Sequence, residues 1–325
     1  MPTTILVTGA SGFVGGHLLV ALAGGGARLV ALAHSTRPVS PDVRHDVGAA
    51  AAIDWRTVDL LDPSATASAV AEARPDEVYH LAGASHVGQS WADAGETLAI
   101  NVLGTHHLLE ALRIHAPAAR VLVTGSAAVY AASTDALDED SPIGPSSPYA
   151  VSKLAEERLG WRASVDDGQQ VLLVRPFNHA GPGQKPSFVA SSFARQVALA
   201  EASRVAPVIE VGNLDARRDV TDVGDIVRAY LALMQSGRPG LPYNVCSGRA
   251  WSARDILDHL VALSRVLLSV HVDSSRFRPH DAPLVVGSFA RLHADTGWRP
   301  AVPIEHTLAN LLDDWRRRVA SEAPA

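Results

Sequence analysis

The stretch "TILVTGASGFVGGHLLVALAGGG", residues 4–26, restricts the possible folds more than any other part of the chain. A short β-branched apolar run ends in glycine. Gly9, Gly12 and Gly15 follow at intervals of three, and a helically spaced run begins among them and stops at Gly24. A tight turn, close approach of backbone to a ligand and close helix–strand packing each favour a residue without Cβ. The start of the helix offers free N–H groups and the positive end of a dipole, which suit phosphate. A glycine-rich turn with no ligand would use the same residues. The position of this loop, between a strand and a helix at the head of an α/β pattern, favours dinucleotide binding.

That pattern continues. "ARLVALAH", "DEVYHLAG", "RVLVTGSAAVY" and "QQVLLVRPFN" are apolar strand-like runs. The long helical stretch "ETLAINVLGTHHLLEALRIHA" and a helix beginning near Tyr149 separate the later ones. Continuous apolar strands alternating with amphipathic helices predict a parallel sheet covered on both faces. The expected fold class is therefore α/β, a Rossmann-like doubly wound parallel sheet with a smaller, mixed α/β C-terminal lobe that binds substrate. After about residue 178 Pro and Gly become frequent ("AGPGQKP", "SGRPGLP") and the elements shorten. The expected division is residues 1–178 for the dinucleotide lobe and 179–325 mainly for the substrate lobe. The segment "VTDVGDIVRAYLALM" returns to the first lobe as a helix near 217–237.

Composition excludes several function classes. The net charge of −6 provides no basic footprint for nucleic acid. No segment approaches the roughly 20 uninterrupted apolar residues that cross a bilayer, and "MPTTILVTGA" lacks the basic start of a signal peptide. Cys246 is the only cysteine, so no intrachain disulfide forms, which fits a cytoplasmic protein. The 14 histidines show no metal-ligand spacing, and His106 and His107 are helix neighbours facing different ways.

The glycine spacing departs from G-x-G-x-x-G and resembles the TGxxGxxG loop of extended short-chain dehydrogenases/reductases. Other marks of that superfamily follow in order: "VDLLD" with Asp59, "HLAG" from His80 to Gly83, and Asn101 in "INVLGT". The resemblance covers nearly the whole chain. It implies cofactor contacts from Gly9, Ser11, Gly12, Phe13, Val14 and Gly15, and adenine contacts from Asp59 and Leu60. It also implies contacts from Leu81, Ala82 and Gly83 after the fourth strand and from Pro176 after a later one.

The chain has only two lysines, Lys153 and Lys185. One of them stands four residues after Tyr149 in "SSPYAVSKLAEERL", so the two side chains share a helix face, and Pro148 suits a helix start. A phenol titrates near 10, and a neighbouring ammonium favours the phenolate. Lysine's compact ammonium also donates to a ribose in a way arginine's fork does not. A surface Tyr/Lys pair would look the same in isolation. The resemblance implies more, a Ser-Tyr-Lys triad of Ser126, Tyr149 and Lys153, with Tyr149 and Lys153 also touching the cofactor. Ser126 lies at the carboxyl end of its strand and four residues before Tyr130, matching the family's S-x-x-x-Y. Thr124 is the competing hydroxyl.

After the second strand "VALAHSTRP" carries His34 and Arg37 and no acidic residue, which favours NADP(H) and leaves NAD(H) second. "RPFNHAGPGQ", "VGNLDARRDVTDVGDIVRAY", "YNVCSG" and "RPHDAP" resemble the GDP-mannose 4,6-dehydratase and GDP-4-keto-6-deoxymannose reductase group. The resemblance implies a GDP-linked sugar as partner. Asn178 would contact the sugar diphosphate, Arg218 and Arg278 would pair with its phosphates, Asp281 would lie on the nucleotide ribose, and Val189 would also touch the substrate. It also implies a homodimer or homotetramer, with helices near 94–116 and 149–162 at the interface. Dehydratases of the group follow the catalytic Ser/Thr with a carboxylate, whereas this chain has Ala127 and Ala128. The expected activity is 4-ketoreduction. The alternatives are a dehydratase, a 4-epimerase, because "SAAVY" is near the epimerase "SATVY", and a catalytically silent dinucleotide-binding regulator.

Overall fold

A computed structural model describes residues 2–34, 53–277 and 282–322. Strand β1 (Thr4–Thr8) turns through the glycine loop into α1 (Phe13–Leu22) and returns as β2 (Arg28–Ala33). Next come β3 (Ile53–Thr57), α2 (Pro63–Ala73) and β4 (Glu77–His80). Two short helices, α3 (Val87–Ala92) and α4 (Ala94–Leu98), lead through a π-helical turn at Ala99–Leu103 into α5 (Gly104–His115). Strand β5 (Arg120–Thr124), helix α6 (Pro148–Val165), β6 (Gln170–Pro176) and β7 (Asn178–Ala180) follow. The rest runs α7 (Val189–Glu201), β8 (Val208–Val211), β9 (Arg217–Asp222), α8 (Val223–Ser236), β10 (Pro242–Val245) and β11 (Ala250–Ser252). It ends with α9 (Ala253–Ala262), β12 (Ser269–Val272), β13 (Leu284–Val285), α10 (Ala290–Thr296) and α11 (Ile304–Ser321).

A seven-stranded sheet in the order β10-β6-β5-β4-β1-β2-β3 forms the centre, and every neighbouring pair is parallel. Alternate residues of a strand point to opposite faces, so both faces are buried when both series are apolar. Ile5 and Val7 of β1 pack with Leu18 and Leu19 of α1 and Ile226 and Leu233 of α8. Leu6, between them, packs with Val70 of α2 and Leu108 and Leu112 of α5 on the other face. The order reverses between β1 and β4, so a crevice opens beyond the carboxyl ends of those strands.

The two edge strands are not among the apolar runs that read as strands in the sequence. Strand β3 ("IDWRT") is half-exposed, and β10 ("PYNV") comes from more than 60 residues after β6. The chain thus returns to the first sheet with a strand as well as a helix.

The remaining segments build a second packed unit. Phe193 and Val197 of α7, Ile209 of β8, Ile256 and Leu260 of α9, and Leu308, Leu312 and Trp315 of α11 form its core. Strand β9 pairs with β7 and β13 in parallel and with β11 antiparallel. This small sheet carries Asn178 and Arg218 towards the crevice. Among the described residues no helix is long and apolar enough to cross a membrane.

Candidate active site

The glycine loop has the shape its spacing suggests. Gly9 has φ +64°, and a Cβ there would lie 2.7 Å from Ala82 N and Leu81 C. A Cβ on Gly15 would meet Gly9 O and come within 2.9 Å of Ala10 Cα. Helix α1 starts at Gly12 with no side-chain cap, which leaves its first-turn N–H groups for a ligand. Ser11, Gly12, Phe13, Val14 and Gly15 all line one cleft of about 1740 Å³. That exceeds the roughly 300–1,000 Å³ of a single small-molecule site, so a dinucleotide and a second nucleotide fit together. Anion-binding backbone without Cβ, at the switch point of a parallel sheet, suits the diphosphate of NADP(H).

The other residues expected at the cofactor sit along the same wall. His34 follows β2, and Asp59 and Leu60 follow β3. Asp59 Oδ1 accepts from Leu61 N at 2.9 Å, which fixes that turn. Leu81, Ala82 and Gly83 form the loop after β4, and Pro176 ends β6. Arg37 lies outside the described residues.

Ser126 and Tyr149 line the cleft beyond the glycine loop. Helix α6 is started by Pro148 and capped by Ser147 Oγ, which accepts from Ala150 N at 3.1 Å. Ser126 Oγ accepts from Ala128 N at 3.1 Å, so its O–H proton is left to donate into the cleft. Thr124, the competing hydroxyl, is committed: Oγ1 donates to His80 O at 2.8 Å. Lys153 lies behind the cleft wall, buried, with Nζ 3.5 Å from where a Cβ of Gly83 would sit. Nζ donates to Thr124 O at 2.7 Å and to Glu156 Oε2 at 2.6 Å. An ammonium has three donors, so one remains.

Buried polar groups hold this region. Asn101, in the π-helical turn, accepts from Ala84 N at 2.7 Å and donates to Ser152 Oγ at 2.8 Å. It thereby clamps the loop after β4 to α6. A π turn inside a helical stretch often marks a functional site, and here it carries the clamp. His80 sits between Thr8 Oγ1 and Thr105 Oγ1, each at 2.8 Å. Burial, aided by the Lys153 charge, holds the imidazole down to about 3, so it is neutral. Thr105 Oγ1 donates to Asn101 O and Ala82 N donates to Thr8 Oγ1. His80 therefore accepts from Thr8 and donates to Thr105. Glu156 is fully buried, and burial pushes its carboxyl up to about 7 against the pull of Lys153. Lys153 is lowered by burial and raised by Glu156 and Tyr149, and its net shift is upward.

On the other side of the cleft stand Asn178 and Arg218. Arg218 is beside Asp219, whose buried carboxylate accepts from Ser247 N, Ser247 Oγ, Gly248 N and Gly287 N at 2.6–3.2 Å. Val189 stands apart. It is 49% exposed and outside the cleft wall, because α7 starts there and Phe188, its N-cap, supplies the lining instead. Arg278 and Asp281 lie outside the described residues. Ala127 and Ala128 form a short 3-10 turn with Val129 directly after Ser126, and both alanines line the cleft. The described carboxylates on the cleft wall are Asp59, Glu96 and Asp219, none of them on this turn.

Sequence reasoning misses Phe188 and Asp219 at the cleft and Glu156 beneath it. Only Glu156 has a visible signal, three residues after Lys153 on one helix face.

The family model for GDP-mannose 4,6 dehydratase matches residues 6–311. The chain is 40% identical to a GDP-6-deoxy-D-mannose reductase of Pseudomonas aeruginosa, over 99% of this chain and 100% of that protein. The solved structure of RMD from Pseudomonas aeruginosa, complexed with NADPH, matches with a TM-score of 0.83 at 37% identity, covering 97% of this chain and 100% of that one. A UDP-glucose 4-epimerase of Thermus thermophilus, complexed with NAD, matches with a TM-score of 0.84 at 27% identity, covering 96% and 98%.

Proposed function

Because the chain belongs to the GDP-mannose 4,6 dehydratase family, we propose that it is an NADPH-dependent reductase of the 4-keto group of GDP-4-keto-6-deoxy-D-mannose. The observation that carries reduction over dehydration is the turn after Ser126. A 4,6-dehydratase needs a base to remove a C5 proton, and Ala127 and Ala128 carry none. Of the carboxylates on the described wall, Asp59 is at the adenosine end, Asp219 is occupied by four donors, and Glu96 belongs to α4.

Reduction needs only groups that the cleft has. Ser126 O–H donates to the keto oxygen and holds it. Tyr149, at the cleft wall, passes its phenolic proton to the same oxygen as charge develops there. Lys153 Nζ, behind it, fixes the nicotinamide ribose and favours proton release. Bound NADPH supplies the hydride. The balance is one hydride and one proton added across the C4 carbonyl. The lobe of residues 1–178, with its returning elements, holds the cofactor. The remainder holds the sugar nucleotide through Asn178, Arg218, Arg278 and Asp281. His34 and Arg37 favour the 2'-phosphate of NADP(H).

The direct test mixes protein, NADPH and GDP-4-keto-6-deoxy-D-mannose. Absorbance of the reduced cofactor falls one mole per mole of keto sugar, and GDP-mannose alone is not converted. A 4-keto product formed from GDP-mannose without added cofactor overturns the reading. Interconversion of C4 epimers with no net loss of NADPH replaces it with an epimerase.

A homodimer goes with this reading. Leu98, Leu103 and Ile114 on the α4–α5 stretch and Val151, Trp161 and Val165 on α6 are exposed apolar side chains. On α6 they fall within one face by helical spacing. Patches of this kind mark association surfaces. Trp161→Glu combined with Val151→Glu is expected to halve the mass measured by light scattering, and an unchanged mass rules this face out. A cytoplasmic location also fits, supported by the single buried cysteine.

A further inference from the structure

We propose that Glu156 is a positioning residue acting through Lys153: its buried carboxylate anchors the ammonium and offsets its charge, so that Tyr149 keeps its proton until the keto oxygen takes it. The inference deepens the triad reading above and rests on it.

The geometry is specific. Tyr149, Lys153 and Glu156 stand at i, i+4 and i+7 of α6, along one stripe. Glu156 is 0% exposed. One carboxyl oxygen accepts a hydrogen bond from Lys153 Nζ at 2.6 Å, and the other has no hydrogen-bond partner among the described residues. A carboxyl group is costly to bury half-satisfied, so it needs a charge to face. The charge it faces is Lys153. With Thr124 O and Glu156 Oε2 taking two donors, the ammonium is held in one place and its third donor is left over.

The second effect is electrostatic. An uncompensated ammonium in a dry site pulls strongly on a neighbouring phenol. A reductase needs that phenol protonated at the start of each turnover. The Glu156 carboxylate, 2.6 Å from Nζ, cancels part of that pull where an unpaired ammonium would otherwise strip the phenol. The other titratable groups around the stripe do not take this role. His80 on β4 is neutral, its Nε2 3.9 Å from Glu156. Glu157 is engaged by Arg175 of β6 at 2.7 Å. Tyr230 of α8 is pushed up by burial and stays a phenol. Glu96 of α4 and His106 of α5 are exposed.

Glu156→Gln keeps the size and an acceptor oxygen and removes the charge. Two measurements follow. In the cofactor-free protein, ultraviolet absorbance reports tyrosinate formation during a pH titration. In the variant one tyrosine ionises about one pH unit lower than in wild type, and adding Tyr149→Phe abolishes that component. In turnover with NADPH, the alkaline limb of kcat shifts down by a similar interval. Glu156→Ala, which leaves no polar group to bury, shifts both in the same direction and covers the case in which the amide misfolds. Superimposable titrations and limbs in either folded variant, whatever the rate, overturn the proposal. Absence of NADPH consumption by the wild type would sink the reductase reading instead, while the cofactor-free titration still judges Glu156.

Discussion

Tyr149→Phe is expected to lower turnover by roughly 10²–10⁴-fold, the usual contribution of a general acid–base group, while NADPH still binds. Phenylalanine keeps the ring and removes only the hydroxyl. The backbone N–H of Tyr149, which donates to Ser90 Oγ at 3.2 Å, and the Ser147 cap are untouched, so α6 starts where it did. In the proposed binding mode most of the cofactor's contacts lie elsewhere, in the glycine loop and the turns after β3 and β4. Affinity measured by NADPH fluorescence should therefore stay within a few-fold of wild type. Residual turnover reflects hydride transfer with the proton drawn from water and with Ser126 still holding the oxygen. Near-normal kcat in this variant removes Tyr149 from the triad.

The parts of the fold that are legible in the sequence share a cause. Strands β1, β2, β4, β5 and β6 are buried on both faces, so each shows as a mainly apolar run. Strands β3 and β10 lie at the two edges. Strand β3 is half-exposed and its run is broken by Asp54 and Arg56. Strand β10 is buried, and its short run is broken by Asn244, whose polar groups are taken by Tyr130, Glu139 and Leu137. The same distinction holds at the site. Glycines and a Tyr/Lys pair at i, i+4 are local patterns and can be read locally. Asp219 and Phe188 take their place from contacts with residues 28–68 positions away or from a cleft between segments, which no short window contains. The expectation for Val189 is one position off because the first turn of a helix rotates neighbouring side chains by about 100°.

The adjacent glutamates in "KLAEERL" show how far burial changes the meaning of one residue type. Glu156 faces a lysine in the site, and Glu157 faces an arginine in the frame. Arg175 and Glu157 form a bidentate pair, Nε to Oε2 and Nη2 to Oε1, both at 2.7 Å, with side chains only 4% and 6% exposed. The guanidinium also donates to Tyr130 Oη at 2.8 Å and Glu139 O at 3.1 Å, and its Cζ lies 4.9 Å from the Tyr130 ring centre. Tyr130 in turn donates to Asn244 on β10, so the network ties α6, β6 and the returning edge strand together. A guanidinium cannot shed its charge, because its proton leaves only above about 12. Glu157→Ala therefore leaves a permanent charge in the interior. The expected loss is about 3–5 kcal/mol, measured by urea unfolding followed with far-ultraviolet circular dichroism. Replacing both partners by apolar residues of similar volume, Glu157→Leu with Arg175→Met, should recover most of that loss, because no orphaned charge remains. If Glu157→Ala costs less than about 1 kcal/mol, the value of an exposed pair, the guanidinium has found water and the network does not carry the edge strand.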